Sequence, residues 1–423
     1  MQDKDRKMNI AVIGGGASGM IAAITAARSG AEVTIFEHMP RMGKKLLLTG
    51  SGKCNITNAD MDMAHYHSGC IKTVESVLQS FPRQKTLEML ESLGLYVKDK
   101  NGYMYPYCES ASAVVDVLRF AIRDLDIDVH TDTNIRKIEK MNQSNDRSVE
   151  GQFVITTNVG TLSFDRVILC CGSNANRNTG SDGSGYKLAS KFGHKIINPF
   201  PALTYLDCEE SFYPSLAGIR TGCKVSLFSR DEKRDSQLLG KQYGQIQFTK
   251  KGISGICVFN LSHFAARKLS EGEKVLAMLD LLPDVSWDQI HDFMTSRIEN
   301  IEERCVEELF IGLLAKPLGI CICKRCGLDL KRKCADLTED NVLDLCKMIK
   351  DFETSVVSTG DVESSQVISG GVDMNEVSET LESKLVSGLY FAGEILDVNG
   401  DCGGYNLQWA QSSGMCAGSE ASH

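Results

Sequence analysis

Gly14-Gly15-Gly16-Ala17-Ser18-Gly19 has the spacing G-x-G-x-x-G, and the acid Glu37 stands about 20 residues further on. Such a run holds a pyrophosphate when a strand precedes it and a helix follows. Gly14 then permits a tight turn, Gly16 lets the backbone approach the phosphates, and Gly19 lets the helix pack on its strand. The helix N-terminus offers free N–H groups and a positive dipole end, while Glu37 can accept both hydroxyls of a ribose. Alone, the glycines are no more than a tight turn; with the acid in place they read as a dinucleotide site. At the far end of the chain, Gly388-Leu389-Tyr390-Phe391-Ala392-Gly393-Glu394 is a strand running into an acid. Gly403-Gly404-Tyr405-Asn406-Leu407-Gln408 then starts a second helix, expected from about Leu407. On its own this stretch leaves an ordinary strand–loop–helix as the alternative. Together with the first motif, two glycine-flanked helix starts so far apart suit FAD, whose long body needs a second anchor.

Smaller clusters are less specific. Cys54 in Gly52-Lys53-Cys54-Asn55 would be a reactive thiolate if it lay beside a flavin with Lys53 lowering its pKa. No partner at C-x-x-C spacing follows, so a packing role is the plainer account. Asn55 and Asn58 are expected to hold the loop by side chain-to-backbone hydrogen bonds. Cys321, Cys323, Cys326 and Cys334 carry enough sulfur for zinc or an iron–sulfur cluster. The paired knuckles of such sites are missing, and the expectation is free thiols with no metal. His65 and His67 are expected in a solvated loop. Tyr103, Tyr105 and Tyr107 alternate beside Pro106, either as a substrate mouth or as one face of a strand.

These groups need elements to place them. Residues 9–13 are a β-branched run, the small residues Ala22 to Ala27 make a helix ending at Gly30, and residues 31–36 give a second strand. That β–turn–α–β unit opens a parallel sheet. Helices are predicted at 83–93 and 112–124, and strands at 127–131, 134–140, 152–157 and 166–171. After Gly193 the texture changes to short strand-like runs between glycine turns, then to helical spacing at 286–315 and 338–352. The expected fold class is α/β, a Rossmann-like FAD-binding domain over 1–192 and 361–423 interrupted by an insert over 193–360. The insert divides into a small β-barrel, about 193–270 with 352–360, and a helical part, about 280–350.

With 423 residues, 42% hydrophobic and 24% charged, the composition is that of a folded globular chain rather than a fibre or a disordered one. Acidic residues number 55 against 46 basic, and the formal charge of −9 disfavours general nucleic-acid binding. The 16 cysteines follow no disulfide framework. With no secretory apolar segment and no run long enough to span a bilayer, the expectation is a cytoplasmic protein with reduced thiols and no membrane partner.

GKKLLLTGSGKCNITN at 43–58, ILCCGSNA at 168–175, QVISGGV at 366–372 and GLYFAGEILDVNGDCGGYNLQWAQSSG at 388–414 together resemble one family. It is the bacterial FAD-dependent oxidoreductase family also called BaiN-like or NAD(P)/FAD-dependent flavoproteins. The likeness covers nearly the whole chain, most weakly 205–350, and Lys53 stands where Arg is common. It implies a glutathione-reductase-type FAD domain with a barrel-and-helix insert. It also implies FAD contacts from Ala17, Ser18, Glu37, Lys45, Gly393 and Glu394, with adenine at the backbone of Ile135. The N–H groups of Asn406 and Leu407 would face the pyrimidine edge of the flavin. Further cofactor contacts are expected from Gly14, Gly16, Gly19, Lys44, Gly52, Cys54, Gly172, Gly404 and Tyr405.

The function implied is hydride transfer through flavin N5, reducing a C=C bond conjugated to a ketone in a hydrophobic, steroid- or bile-acid-like small molecule. NADH or NADPH would be the electron donor; no second G-x-G-x-x-G follows a strand, so it would dock transiently in the substrate cleft. Such a reaction needs a donor that polarises the ketone and an acid for the α-carbon. Tyr405, Tyr103 and Cys54 are the candidates. Two other readings stand beside it. One is an FAD-dependent amine or hydroxy-group oxidase. The other is a flavin-dependent RNA-modifying or RNA-binding protein, for which Lys324 to Lys333 is the only dense basic run.

Overall fold

Ile10, Ala11, Val12 and Ile13 are buried on both faces of strand β1 (Asn9–Ile13), as a central strand of a parallel sheet requires. In this computed structural model, which describes residues 6–141, 152–230 and 236–423, the glycine turn leads into helix α1 (Ala17–Arg28). Strand β2 (Glu32–Phe36) returns parallel to β1 with Phe36 opposite Ile13. Strand β3 (Asp128–His130) lies outside β2, and β4 (Arg166–Leu169) flanks the other side of β1. Helix α2 (Ser184–Lys191) follows. Strand β5 (Leu389–Phe391) closes the sheet, and helix α3 (Tyr405–Glu420) comes after it. The order is β5-β4-β1-β2-β3, parallel throughout. The strand positions expected at 134–140 and 152–157 form Ile135–Lys140 and Phe153–Thr157, and Phe153–Thr157 pairs antiparallel with Ile135–Lys140 on one side and Thr161–Phe164 on the other in a separate three-stranded sheet.

Helix α3 lies against α1 with glycines at the contact. A side chain on Gly414 would sit 2.6 Å from the Ser18 carbonyl oxygen, and one on Gly418 would collide with the carbonyl of Ala22. Their four-residue spacing puts both on one face of the helix. Polar hooks fix α3 from its other sides: Ser412 Oγ donates to the Phe81 carbonyl at 2.6 Å, and Gln411 Nε2 to the Ile56 carbonyl at 3.1 Å.

The chain divides into two units. The first takes the chain up to Phe200 and again from Val362; the second is Pro201–Asp361. The second unit is built on a closed barrel in which Leu206–Cys208, Gly252–Ser254, Gln237–Phe248, Arg220–Arg230, Lys274–Asp280 and Phe352–Thr359 follow one another round the ring. Helix Ile256–Ser270 packs on it at Gly240 and Gly244, where an added Cβ would come within 2.9 Å of Leu261 and 3.3 Å of Cys257.

The helix expected over 286–315 is shorter than its spacing suggested. It runs Trp287–Asn300 behind a Ser286/Gln289 capping box, then ends, and Cys305 is extended and bridges Lys333. Gly312 at φ +92° turns the chain again. Helix Glu339–Lys350 begins with a second capping box, Thr338 with Asn341. No helix among the described residues is long and apolar enough to cross a membrane.

Candidate functional site

Both helix starts are bare. Helix α1 begins at Gly16 with no side-chain cap and no acid in its first turn, so its N-terminal N–H groups keep their polarity for a ligand. An added Cβ at Gly16 would meet nothing within 4 Å, whereas one at Gly14 would lie 2.5 Å from the Cys170 carbonyl and one at Gly19 would collide with the Gly14 carbonyl. Gly14 itself sits at φ +107°. The outer glycines are therefore required by the turn, and the middle one borders open space. Glu37, 8% exposed, accepts the N–H of Gly15 and of Met39, each at 2.8 Å. Its carboxylate thus fixes the glycine turn to the end of β2, and both oxygens retain further lone pairs. Ile135 opens its strand just after Asp132 and Thr133, whose N–H groups bond the carbonyls of Met39 and Glu37.

Helix α3 also starts without a side-chain cap, behind Gly404 (φ +98°), and its first residue, Tyr405, comes two residues before the start expected from sequence. A Cβ there would press on Thr57 at 2.7 Å. Asn406 is spent on its own loop: Nδ2 donates to the Gly400 carbonyl and Oδ1 accepts the Gly400 N–H, both at 2.8 Å. Gly393 donates its N–H to Ser413 Oγ at 2.9 Å, and a side chain on it would collide with Ser18 Oγ. So the end of β5, the start of α1 and the body of α3 meet at one point. Lys45 Nζ lies 2.6 Å from Glu394 Oε2, and Ser173 Oγ donates to the same oxygen at 3.3 Å. This joins three segments far apart in sequence, of which Ser173, just past Gly172, was not singled out from sequence. Lys44 is exposed.

The loop after Lys45 carries Gly50, Ser51, Gly52 and Cys54 at positive φ. Cys54 is 1% exposed, and burial pushes its thiol up to about 11. Lys53 does not activate it, because the ammonium lies 3.1 Å from Glu109, a carboxylate shared with Lys98 and Lys100. Desolvation thus disfavours the thiolate alternative and agrees with the packing role expected of Cys54. Cys54 instead lines a small apolar cavity with Ala17 and Ile21 of α1 and Leu407 and Gln411 of α3. Both helix starts and the loop therefore face one space. Asn58 holds the loop as expected, donating to the Gly403 carbonyl at 2.9 Å, whereas Asn55 Oδ1 is buried without a partner. Uncapped helix ends, an unobstructed Gly16 and an orphaned amide oxygen together fit an anionic dinucleotide with a polar ring system, as FAD is.

The histidines depart from expectation. His65 Nδ1 lies 3.0 Å from Asp401 Oδ2 and its Nε2 3.2 Å from Asp60 Oδ2; His67 Nε2 lies 3.1 Å from Asp401 Oδ1. They are not solvated bystanders but hydrogen-bond partners of Asp401, itself 4% exposed. A carboxylate at each ring nitrogen favours the protonated form of His65. Burial works against that charge, but the carboxylates of Asp401 and Asp60 outweigh it and raise the pKa. The His65 ring stacks on Tyr405 at 4.4 Å, and Tyr66 meets Tyr405 edge-on at 5.7 Å. Tyr405, expected as a donor or acid, is 4% exposed, and burial with Asp60 and Asp401 raises its phenol. Its ring is packed into the α3 start between His65 and Tyr66. Tyr103, 37% exposed, and Tyr105, half-buried, share one face of strand Tyr103–Pro106. A Cβ on Gly403 would lie 3.4 Å from Tyr103, and one on Gly50 3.6 Å from Tyr105.

Cys321, Cys323 and Cys334 are buried and Cys326 half-buried in the core of the second unit, all as free thiols. Burial raises Cys321 and Cys326 to about 11 and Cys323 to about 12. Among the described residues, no group of three or more His, Cys, Asp or Glu side chains is placed to hold a metal ion.

A parallel sheet with a glycine turn, a carboxylate after its second strand and a second bare helix start, interrupted by a closed barrel, defines a Rossmann-type FAD-binding fold. The chain belongs to the HI0933-like Rossmann-domain family, whose model matches residues 8–420, as its motifs implied. It is 37% identical over 416 residues to a 3-dehydro-bile acid delta(4,6)-reductase of Clostridium scindens, covering 97% of this chain and 98% of that one. It is 28% identical over 407 residues to a ribosomal RNA dihydrouridine synthase of Haemophilus influenzae, covering 95% of each. Among solved structures, a 3-ketosteroid delta1-dehydrogenase from Sterolibacterium denitrificans matches with a TM-score of 0.50 at 13% identity, over 98% of this chain and 99% of that one, a likeness of fold.

Proposed function

We propose that this chain is an FAD-dependent oxidoreductase that reduces a C=C bond conjugated to a ketone in a hydrophobic, bile-acid-like substrate, with NADH or NADPH as electron donor. The observation that carries this reading is the identity of 37% along nearly the whole chain to a 3-dehydro-bile acid delta(4,6)-reductase. FAD, when bound, supplies hydride transfer at N5. The residues around it have separate tasks. The start of α1 at Gly16, Ala17 and Ser18 binds the pyrophosphate, and Glu37 the ribose of the adenosine half, with adenine along the Ile135 backbone. Lys45, Glu394 and the bare start of α3 hold the flavin half; Gly52, Gly172, Gly393 and Gly404 let backbone come close to it, with the exposed Lys44 next to Lys45 in the chain. The N–H groups of Asn406 and Leu407 present a positive dipole end, which stabilises negative charge at the pyrimidine edge. Tyr103 and Tyr105 are the donors for the ketone oxygen; burial raises the Tyr105 phenol, so it keeps its proton and donates.

A second reading has its own support, since relatives named ribosomal RNA dihydrouridine synthases match at 28% and 26% identity. Dihydrouridine is uridine reduced at C5–C6, a double bond conjugated to the C4 carbonyl, so both readings ask for hydride at the far carbon of an unsaturated carbonyl. The net charge of −9 favours the small molecule over RNA. Full-length protein, FAD and NAD(P)H, given a 3-keto steroid acid with conjugated unsaturation, is expected to yield the saturated ketone by mass spectrometry. No product from any such enone, with dihydrouridine appearing in ribosomal RNA instead, would replace the first reading by the second.

A further inference from the structure

Strands Val97–Lys100 and Tyr103–Pro106 pair antiparallel, with Lys100 opposite Tyr103 and Lys98 opposite Tyr105. Side chains alternate along a strand, so these four lie on one face of the hairpin. The face continues past the strand ends. Tyr107 donates its N–H to the Tyr96 carbonyl at 2.8 Å, their rings lie 5.7 Å apart, and Lys98 Nζ stands 5.1 Å over the Tyr107 ring. Tyr96 and Tyr107 are 68% and 63% exposed, so two adjacent rings are open to solvent. Lys53, Lys98 and Lys100 share the Glu109 carboxylate at 3.1, 2.8 and 3.7 Å, and among the described residues none of the three has a second carboxylate within ion-pair distance. Asp99, on the opposite face by the same alternation, accepts the turn N–H of Gly102 at 2.7 Å. Three ammoniums against one carboxylate leave this face positive on a chain whose net charge is −9.

The two ends of the face differ. At the turn end, Tyr103 adjoins Gly403, just before the bare start of α3, and Tyr105 adjoins Gly50 in the loop that carries Lys53. At the open end stand the exposed rings of Tyr96 and Tyr107, with Lys98 between. A ligand lying along the face therefore meets the α3 start, then a positive stretch, then an aromatic platform. Ammoniums attract phosphates as point charges, and a flat base stacks on exposed tyrosines. A nicotinamide adenine dinucleotide has its parts in that order: the ring that gives hydride, two phosphates, then adenine. A steroid acid fits less well, because its ketone and carboxylate stand at opposite ends of a rigid apolar ring system, whereas Lys98 lies directly across from Tyr105.

We propose that this hairpin face is where the nicotinamide electron donor docks, with its phosphates on Lys53, Lys98 and Lys100 and its adenine on Tyr96 and Tyr107. The proposal rests on the reductase reading above and gives the donor a site that no second glycine motif supplies. The test uses FAD-loaded full-length protein, titrated in a calorimeter with NAD+ and NADP+, which cannot reduce the flavin, and then mixed anaerobically with NADH and NADPH. The double variant Lys98→Gln/Lys100→Gln is expected to weaken binding of the preferred nucleotide about tenfold and to flatten its dependence on salt. Tyr107→Ala is expected to weaken it about fivefold and, being an uncharged change, to leave the salt dependence as in wild type. In both, the donor concentration for half-maximal flavin bleaching rises by the same factor, while the limiting rate and the FAD content stay at wild-type values. FAD content shows whether a variant has folded, and either variant decides the matter if the other folds poorly. Unchanged nucleotide affinity and an unchanged half-maximal concentration in both would overturn the proposal. So would a loss confined to a conjugated steroid acid, which would make the face a carboxylate anchor, or one confined to a salt-sensitive shift of ribosomal RNA, which would make it an RNA platform. Wild-type protein whose flavin neither NADH nor NADPH bleaches would fail the reductase reading itself, an outcome visible before any variant is made.

Discussion

His65 is the most informative single side chain outside the glycine motifs. Its ring is 28% exposed, bonded at both nitrogens to carboxylates and stacked on the tyrosine that starts α3. Because its pKa is raised on folding, the protonated ring stabilises the native state. That contribution is full below the unfolded value of about 6.5 and fades as pH rises through the higher folded value. Wild type is therefore expected to exceed His65→Gln by about 1 kcal/mol near the acid end of that window, with the gap shrinking toward alkaline pH, in denaturant melts. A gap that widens with pH would contradict the pairing. Cys54 gives a second check. With its thiol pushed up to about 11 by burial, it is expected to escape alkylation at mildly alkaline pH while the exposed Cys108 reacts, read by peptide mass spectrometry. Of the residues in the site, the glycines, Glu37 and Glu394 were legible because their backbone tasks leave a fixed spacing. The His65–Asp401–His67 group was not, since histidines at 65 and 67 carry no sign of an aspartate at 401. Ser173 stands within the ILCCGSNA stretch, but its bond to Glu394 left no local sign for the same reason.

Between elements, the contact that aligns both helix starts is the crossing of α1 and α3. Gly418→Ala gains about 1 kcal/mol of helix propensity, yet its methyl group would collide with the Ala22 carbonyl, which belongs to a helix and cannot swing aside. We expect the collision to win by about 1 kcal/mol or more, lowering the melting temperature by roughly 2–4 °C. A rise in melting temperature would show that the helices are not packed this closely. Sequence periodicity found α1 and the strands around it because their burial is continuous. It set the start of α3 two residues late, because the cap is a glycine at positive φ rather than a Ser or Asp that would announce itself. It overran the helix that ends at Asn300, since apolar residues keep helical spacing through 301–315 while the chain turns and pairs Cys305 with Lys333. Local pattern cannot report a distant partner.

On the scale of the whole molecule, each unit has its own apolar core, one around β1, α1 and α3 and one shared by the barrel and the helices of the second unit. The α/β class and the barrel were legible from the change of texture along the chain, and the parallel sheet from its first β–α–β unit. The ring order of the barrel was not, because its strands are separated by helices that hide which pairs close it. The central claim is chemical: a flavin held between two helix starts accepts electrons from a nicotinamide and passes them to an unsaturated ketone. Its most direct test is an anaerobic visible spectrum of the full-length protein before and after NADH, and then NADPH. The account predicts a flavin band that bleaches with one of them and returns when a conjugated steroid ketone is added. A band that neither nicotinamide moves would contradict the reductase, and a colourless protein that takes up no added FAD would contradict the site itself.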